Sequence, residues 1–396
     1  MRLLESRRRQ IVISQLTADP SSPFSDLFPR YRIADVIDWG QVRFDRPLGL
    51  AWRISAGVEG ESQRVEAVTV ADFTGSIQDA VDRVKTRSVF VKAGRSARRW
   101  DLDFGLRYDD DAFFGSQLSP RATLRWFPAE GLTLRVLGGR TFRVPRPIFS
   151  EVCCGQRYQR NTSTRAETGT TYALEAVYQP SPVLRASVYA SRTDFDDYIL
   201  RWTGFTTEYV ATLVQTNVPE ARANTLELAL RYRPVDALTL DGSIGWLDFR
   251  ARGPALTEIG IELDPVNFPG VKIPFPIPPL DRIPFQPVRT GSLAARWTPH
   301  RRVTVSAQAS YTGTMLIQRY APGSFVPVAA YVETPGFWQV NVALEARLNR
   351  WLVLGAGADN VTGRLQNDLG DPATDYNWGP LAGRSWFLNL RAELSR

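Results

Sequence analysis

The chain has 396 residues, 43% of them hydrophobic, and a net charge of +7 carried by 48 Lys and Arg against 41 Asp and Glu. That length admits two or three soluble domains or one large closed sheet. No stretch reaches the roughly 18 apolar residues that a membrane-spanning helix needs, and the positive charge sits on scattered arginines, with no basic helix, finger or RNA-binding signature, which excludes a nucleic-acid binder.

Alternation of apolar and polar residues predicts strands throughout. The N-terminal part is the least regular. Strands are expected at Gln10–Thr17 and Val36–Asp45, joined by a polar, proline-containing loop. Leu50, Trp52, Ile54, Ala56 and Val58 then alternate with Arg53, Ser55 and Glu59. Residues 60–86 read as a long polar connection and 88–92 as a strand. A basic turn follows at 94–99. Trp100, Leu102, Phe104, Leu106 and Tyr108 next make one clean face, ending in an acidic tip at 109–115.

Residues 121–140 are the clearest hairpin. Ala122, Leu124 and Trp126 point one way and Arg121, Thr123 and Arg125 the other; Leu132, Leu134 and Val136 resume the pattern after the turn. Pro128 cannot donate a ladder hydrogen bond, so it is placed in the turn. The unit recurs: Trp126, Tyr178, Tyr232 and Trp297 each stand two residues before a proline (Pro128, Pro180, Pro234, Pro299). An aromatic at each strand end beside a short turn is the pattern of a membrane-interface girdle. Hairpins of a soluble sandwich would alternate in the same way.

Long and short connections alternate along the rest of the chain. The long ones are 141–168, 249–288, 313–336 and 362–383; the short ones lie at Pro128, Pro180, Pro234, Pro299 and Asn349. Residues 191–210 read as two tall strands meeting near Gly204. In the last strand Trp386, Leu388, Leu390 and Leu394 alternate with Asn389, Arg391 and Glu393. Such sorting, with about sixteen strands, is the asymmetry of an outer-membrane barrel. A β-sandwich has no reason for it. The stretch 265–287 is rich in proline, and a stiff polyproline loop is expected there, either covering the mouth or as a tolerated insertion.

Support for bond chemistry is thin. His300, the only histidine, lies in a short turn beside Pro299 and Arg301, a poor place for a general base. Asp194, Asp196 and Asp197 could bind a cation, but a strand-end turn is the plainer reading. Cys153 and Cys154 are adjacent and read as loop residues; a disulfide between neighbours is strained. No catalytic set, phosphate loop, metal spacing or cofactor motif is present. Arginines in a lumen could grip carboxylates or phosphates, although genomic codon bias accounts for an arginine excess more simply.

From Ser119 onward the chain resembles the C-terminal barrel of TonB-dependent outer-membrane receptors. Ser119, Pro120 and Arg121 are similar to that family's S-P-R, and Phe142, Arg143 and Pro145 to its G-F-R-A-P. Asn161, Arg165 and Glu167 stand at the spacing of its N-P-x-L-K-P-E, without the prolines and leucine. Residues 195–199 look like its D-x-x-D-x-I strand end. Asp359, Asn360 and Val361 look like its N-L-F-D, and Gly383 and Arg384 open the last strand as its G-R does. Leu394 replaces the terminal Phe, and Ser395 and Arg396 follow it.

The resemblance implies an all-β, up-and-down transmembrane barrel in a Gram-negative outer membrane, surrounded by lipid. It implies active uptake of a scarce small ligand such as an iron chelate or cobalamin, bound at extracellular loops 141–168 and 249–288, with no cofactor. In such receptors a 22-stranded barrel holds an N-terminal plug through which the TonB complex pulls. The whole chain, 1–396, is expected to be a partial barrel of this kind. The match is best over 119–396 and weaker over 1–118. About six strands, the plug and the TonB box are expected to lie outside it. The opening MRLLESRRRQIVISQL has no apolar h-region, so a mature fragment or a miscalled start is expected. The rival readings are a passive porin of about sixteen strands, an outer-membrane enzyme, and a soluble sandwich binding module.

Overall fold

The computed structural model describes residues 2–16, 31–69, 78–145, 148–152, 155–159, 164–205, 211–252, 258–264, 268–276, 280–320, 327–363 and 383–392. Among them every regular element is a strand: β1 (Arg2–Leu16), β2 (Tyr31–Leu48), β3 (Trp52–Thr69), β4 (Gln78–Ala97), β5 (Trp100–Asp111), β6 (Gly115–Ala129) and β7 (Leu132–Arg143). A small hairpin of β8 (Ile148–Val152) and β9 (Gly155–Gln159) follows, then β10 (Glu167–Ser181), β11 (Leu184–Phe205), β12 (Ala211–Val235) and β13 (Leu238–Arg252). A second hairpin, β14 (Glu258–Asp264) and β15 (Phe268–Pro276), precedes β16 (Arg289–His300) and β17 (Val303–Thr312). A third, β18 (Met315–Tyr320) and β19 (Pro327–Thr334), precedes β20 (Phe337–Arg347), β21 (Leu352–Asp359) and β22 (Ser385–Ala392). Sixteen strands form one antiparallel meander in chain order, and the three hairpins stand apart from it.

The ladder register sorts the two faces. Leu102, Leu124, Val136, Leu174, Ala190, Leu226 and Trp246 are successive cross-strand partners from β5 to β13. The neighbouring row on the opposite face reads Asp101, Arg125, Arg135, Glu175, Tyr189, Glu227 and Gly245. The apolar row is bare: Leu124 is 42% exposed, Val136 50% and Leu174 59%. An apolar surface running over seven strands far exceeds the few hundred Å² that a soluble monomer shows. Lipid is the solvent that makes it stable, and the polar row belongs to the lumen.

The short turns repeat one device. The register slips between Trp126 and Ala129, Tyr178 and Ser181, Tyr232 and Val235, and Trp297 and His300. At each slip the residue after the aromatic donates its N–H to a carbonyl in the preceding hairpin turn: Phe127 to Arg99, Gln179 to Gly131, Arg233 to Val183 and Thr298 to Ala237. The proline follows in the bulge, where no ladder donor is required. Pro128 therefore lies in the last residues of β6, before the turn rather than in it.

The strands are taller than their alternation indicates. Where a connection was expected at 60–86, β3 runs on to Thr69 and β4 starts at Gln78. Likewise β1 and β2 outrun the expected Gln10–Thr17 and Val36–Asp45. The reach 191–205 continues β11, and its partner β12 resumes at Ala211. A strand needs only about 9–11 residues to cross a bilayer. Beyond the lipid both faces meet water, so the period-two signal vanishes while the backbone ladder continues. The long connections also contain structure: the proline-rich stretch forms β15, paired with β14, instead of a polyproline loop. Asp194 and Asp196 lie within the β11 ladder rather than in a turn.

The meander ends at β1 and β22, with no ladder between them among the described residues. On β22 both faces are open: Trp386 is 74% exposed, Leu388 75% and Phe387 38%.

Candidate ligand-handling site

Three sequence-distant motifs converge where β7, β10 and β11 leave the membrane. Arg143 at the end of β7 donates to Glu167 at the start of β10 (2.5 Å) and to the carbonyl of Ile199 on β11 (3.2 Å). Glu167 also accepts the Ile199 N–H (2.7 Å) and is buried. The Arg143 guanidinium lies 5.7 Å from the centre of the Tyr198 ring, and burial pushes the Tyr198 phenol up, opposed by Arg143. Asp197 adopts φ 54°, a left-handed conformation that Asp tolerates, and accepts from Arg165 (2.5 Å). The Asn217 side chain closes the knot by accepting the Arg165 N–H and donating to the carbonyls of Arg165 and Asp197.

Beside this knot Tyr198 meets Phe195 and Phe249 edge to face, and the two Phe rings are tilted against each other, all within 5.0–5.6 Å. They pack against the buried Leu200, Val218, Ala221 and Ile283. Ile283 donates its N–H to Phe249, while Phe285 and Val288 donate to Leu316 and Thr314. The segment 280–288 is thus sewn to β13 on one side and to the β18 hairpin on the other. Backbone proximity also carries the β8–β9 hairpin across to β12 and β3, and β19 to β11. The loops fold over the mouth from several strands.

Arg143, Arg165 and Glu167 therefore belong to one cluster; Phe142 lines the lumenal concavity and Pro145 is buried just past β7, while Asn161 lies outside the described residues, as do Cys153 and Cys154. Asn360, Gly383 and Arg384 form a separate group at the tops of β21 and β22. Asn360 is buried at φ 49°, takes the Asn341 amide oxygen on its N–H (2.8 Å) and the Thr362 hydroxyl on its side chain (2.8 Å). The turn ends at Gly363, beside the Arg384 guanidinium. The turn aromatics Trp126, Tyr178, Tyr232 and Trp297 are 48%, 48%, 42% and 51% exposed on the lipid face. His300 accepts the Arg302 N–H through Nδ1 (3.3 Å) and is exposed.

The lumenal wall carries a charge network that the sequence motifs do not mark. Arg107 bridges Glu59 (2.7 Å) and Asp109 (2.8 Å), Ser88 donates to Asp109 (2.6 Å), and Gln41 donates to Glu59 (2.9 Å). Arg53 and Arg125 meet Asp103, and Arg135 meets Glu175 (2.9 Å). A 690 Å³ concavity opens against this wall, lined by Lys92, Asp103, Arg107, Arg121, Arg125 and Arg135 among others. The only sequence signal for this network is odd-numbered charges alternating with an apolar face. The Asp194 carboxylate is held by Arg192 and Arg222 (2.9 and 2.5 Å), which leaves it no role in a cation site. Among the described residues no cluster of His, Cys, Asp and Glu could hold a metal ion.

A fold of sorted turns, a bare apolar belt and a charged lumen defines an outer-membrane barrel protein. Residues 9–361 match the family described as TonB dependent receptor-like, beta-barrel, and the chain belongs to that family. It is a barrel of the Gram-negative outer membrane. A curated relative, the iron-regulated outer membrane virulence protein of Vibrio cholerae, is 28% identical over 153 residues, 37% of this chain and 23% of the relative. The ferric enterobactin receptor of Pseudomonas aeruginosa superposes with a TM-score of 0.63 at 19% identity, over 98% of this chain and 59% of that one. The siderophore receptor PirA of Acinetobacter baumannii gives 0.65 at 14%, over 92% and 55%. The chain thus spans little more than half the length of these receptors and under a quarter of the curated relative.

Proposed function

We propose that this chain forms wall and mouth of a receptor that actively imports a scarce, anionic small ligand, an iron chelate being the first choice. The observation that carries the reading is the pairing of a knotted mouth with a basic lumen. The cluster at Arg143 and Glu167 holds the loop bases, and Arg107, Arg121, Arg125 and Arg135 line the concavity below. Guanidinium groups grip carboxylates and phosphates in bidentate fashion. The names of the similar proteins, iron-regulated or siderophore receptors, favour iron over cobalamin. Ligand contact is assigned to connections 141–168 and 249–288. Energy is assigned to the TonB complex acting on a plug supplied from outside residues 1–396.

The test is uptake of labelled ferric chelates by cells that carry the gene product in place of their own receptors. Uptake that ceases when the proton gradient is collapsed supports the receptor. Uptake that continues unchanged, proportional to external concentration, supports a passive pore with an arginine-lined lumen instead.

A further inference from the structure

Most cations that line the lumenal concavity are committed to an acid. Arg107 bridges Glu59 and Asp109, Arg53 and Arg125 share Asp103, and Arg125 also reaches Asp101 (3.5 Å). Arg135 holds Glu175. Lys92 and Arg121 differ. Among the described residues neither meets a carboxylate, and the Lys92 ammonium lies 5.4 Å from the centre of the Phe90 ring.

The two stand in one row. Gly105 of β5 is the cross-strand partner of Lys92 on β4 and of Arg121 on β6, and Gly139 of β7 is the partner of Arg121 on its other side. The row reads cation, glycine, cation, glycine, on the same lumenal face as Asp101 and Asp103. A Cβ on Gly105 would meet Lys92 Cγ at 3.6 Å, and one on Gly139 would meet Arg121 Cγ at 3.3 Å. Each cation thus leans along the row over a glycine, and Gly105 puts no side chain between them. With strands about 4.8 Å apart, the two Cα atoms are separated by about 10 Å.

Their height suits a ligand in transit. Gly105 lies between the aromatic levels that Trp100 and Tyr108 mark on β5. Gly139 lies four residues below Arg143 on β7, about 13 Å along the strand. Cations set in the wall without a counter-ion are a ready seat for a passing anion, because the neighbouring acids are already held by other arginines. An anion with one charged group must choose between the two cations. One with two or more carboxylate or phosphate groups engages both, the first contact raising the effective concentration of the second.

We propose that Lys92 and Arg121 form a lumenal seat for a small polyanion, a molecule or chelate that presents at least two oxyanion groups, one station below the Arg143–Glu167 knot. The proposal deepens the import reading above and rests on it for the direction of travel. The seat itself is a binding property of the wall and is tested without transport.

The 396-residue chain, purified from outer membranes in mild detergent, is titrated calorimetrically at low ionic strength with citrate, pyrophosphate and acetate. Citrate or pyrophosphate is expected to bind at least about tenfold more tightly than acetate, and the tighter of the two tells a polycarboxylate ligand from a polyphosphate one. Lys92→Gln and Arg121→Gln should each remove that preference, and Lys92→Arg should keep it. Arg296→Gln should keep it too: Arg296 on β16, across from Thr239, is also without a carboxylate among the described residues but lies outside the concavity. Equal binding of the polyanions and acetate by the unaltered protein would overturn the proposal without any variant having to fold. So would an undiminished preference in a Lys92→Gln or Arg121→Gln chain that keeps its heat-modifiable mobility, or an equal loss in Arg296→Gln, which would make the binding one of diffuse lumenal charge. A chain that shows the preference, loses it in the two variants and takes up no chelate would keep the seat and refute import alone.

Discussion

Arg143 and Glu167 meet at 2.5 Å across the tops of β7 and β10, and the Glu167 carboxylate also caps the Ile199 N–H of β11. One buried carboxylate thereby ties three neighbouring strands at the level where the loops begin. The Glu167 side chain is 8% exposed and that of Arg143 55%, so the cost of the pair is dominated by what happens to the acid's partners.

Replacing Glu167 with Ala leaves the Ile199 N–H and the inner side of Arg143 unsatisfied. Stability is expected to fall by about 2 kcal/mol. Glu167→Gln keeps an acceptor for Ile199 and should lose about half as much. Denaturant midpoints in detergent measure both. A Glu167→Ala midpoint equal to that of a Glu175→Ala control would contradict the knot.

The register puts Leu228, Leu240 and Val305 toward lipid, and Glu227, Thr239 and Ser306 toward the lumen. Leu228→Arg, four residues above the interface aromatic Tyr232, is therefore expected to cost about 2–4 kcal/mol at mid-membrane depth, and Thr239→Arg little. Equal tolerance of the two in an unfolding titration would invert the assignment of faces.

A Cβ on Gly57 would stand 2.6 Å from the Phe90 ring and 2.6 Å from the Val42 carbonyl oxygen, whereas nothing lies within 4 Å of one on Gly60. Gly57→Ala should destabilise by about 1–3 kcal/mol and Gly60→Ala by much less. The same Gly–Phe pairing recurs at Gly357 and Phe387, so Gly357→Ala should behave like Gly57→Ala. Thermal melts of the three variants decide the matter.

Epitope tags placed in connections 141–168 and 249–288 are expected to be labelled on intact cells. Tags at Pro128, Pro180, Pro234 and Pro299 should become accessible only after the outer membrane is breached. Labelling in the opposite order would turn the barrel over.

Arg282 donates to Glu333 (3.0 Å), joining the 280–288 segment to β19. The hydrogen bond from Arg282, helped by Thr314, holds the Glu333 carboxyl below its ordinary value. A depressed acid contributes stability above its unfolded pKa of 4.5 and loses it as pH falls through the lower folded value. The pair is exposed, so its contribution is at most about 1 kcal/mol. The protection factors of β19 amides, that is exchange corrected for its intrinsic fall with pH, should drop in acid below that point, and Glu333→Gln should remove this drop. Protection factors that stay constant from neutral to acid in the unaltered protein would refute this.

Alternation along 100–108 and 121–140, and the aromatic-x-Pro turns, made the strands, their faces and their sorting legible in the sequence, because a lipid-facing side chain admits few residue types. The order of family motifs likewise marked Arg143, Arg165 and Glu167. What they do was not legible. Asn217 and Tyr198, which complete their cluster, carry no motif signal, and Asp194–Asp197 looked like a turn.

The two kinds of information divide at the edge of the membrane. Within lipid the solvent itself dictates every second residue, so composition and period determine the wall. Above it both strand faces meet water and the pattern disappears, so only the ladder shows that β3, β4, β11 and β12 continue upward. There the contacts join residues far apart in the chain, Arg143 to Ile199 or Ile283 to Phe249. Such pairings depend on the register of neighbouring strands, which no local stretch of sequence encodes.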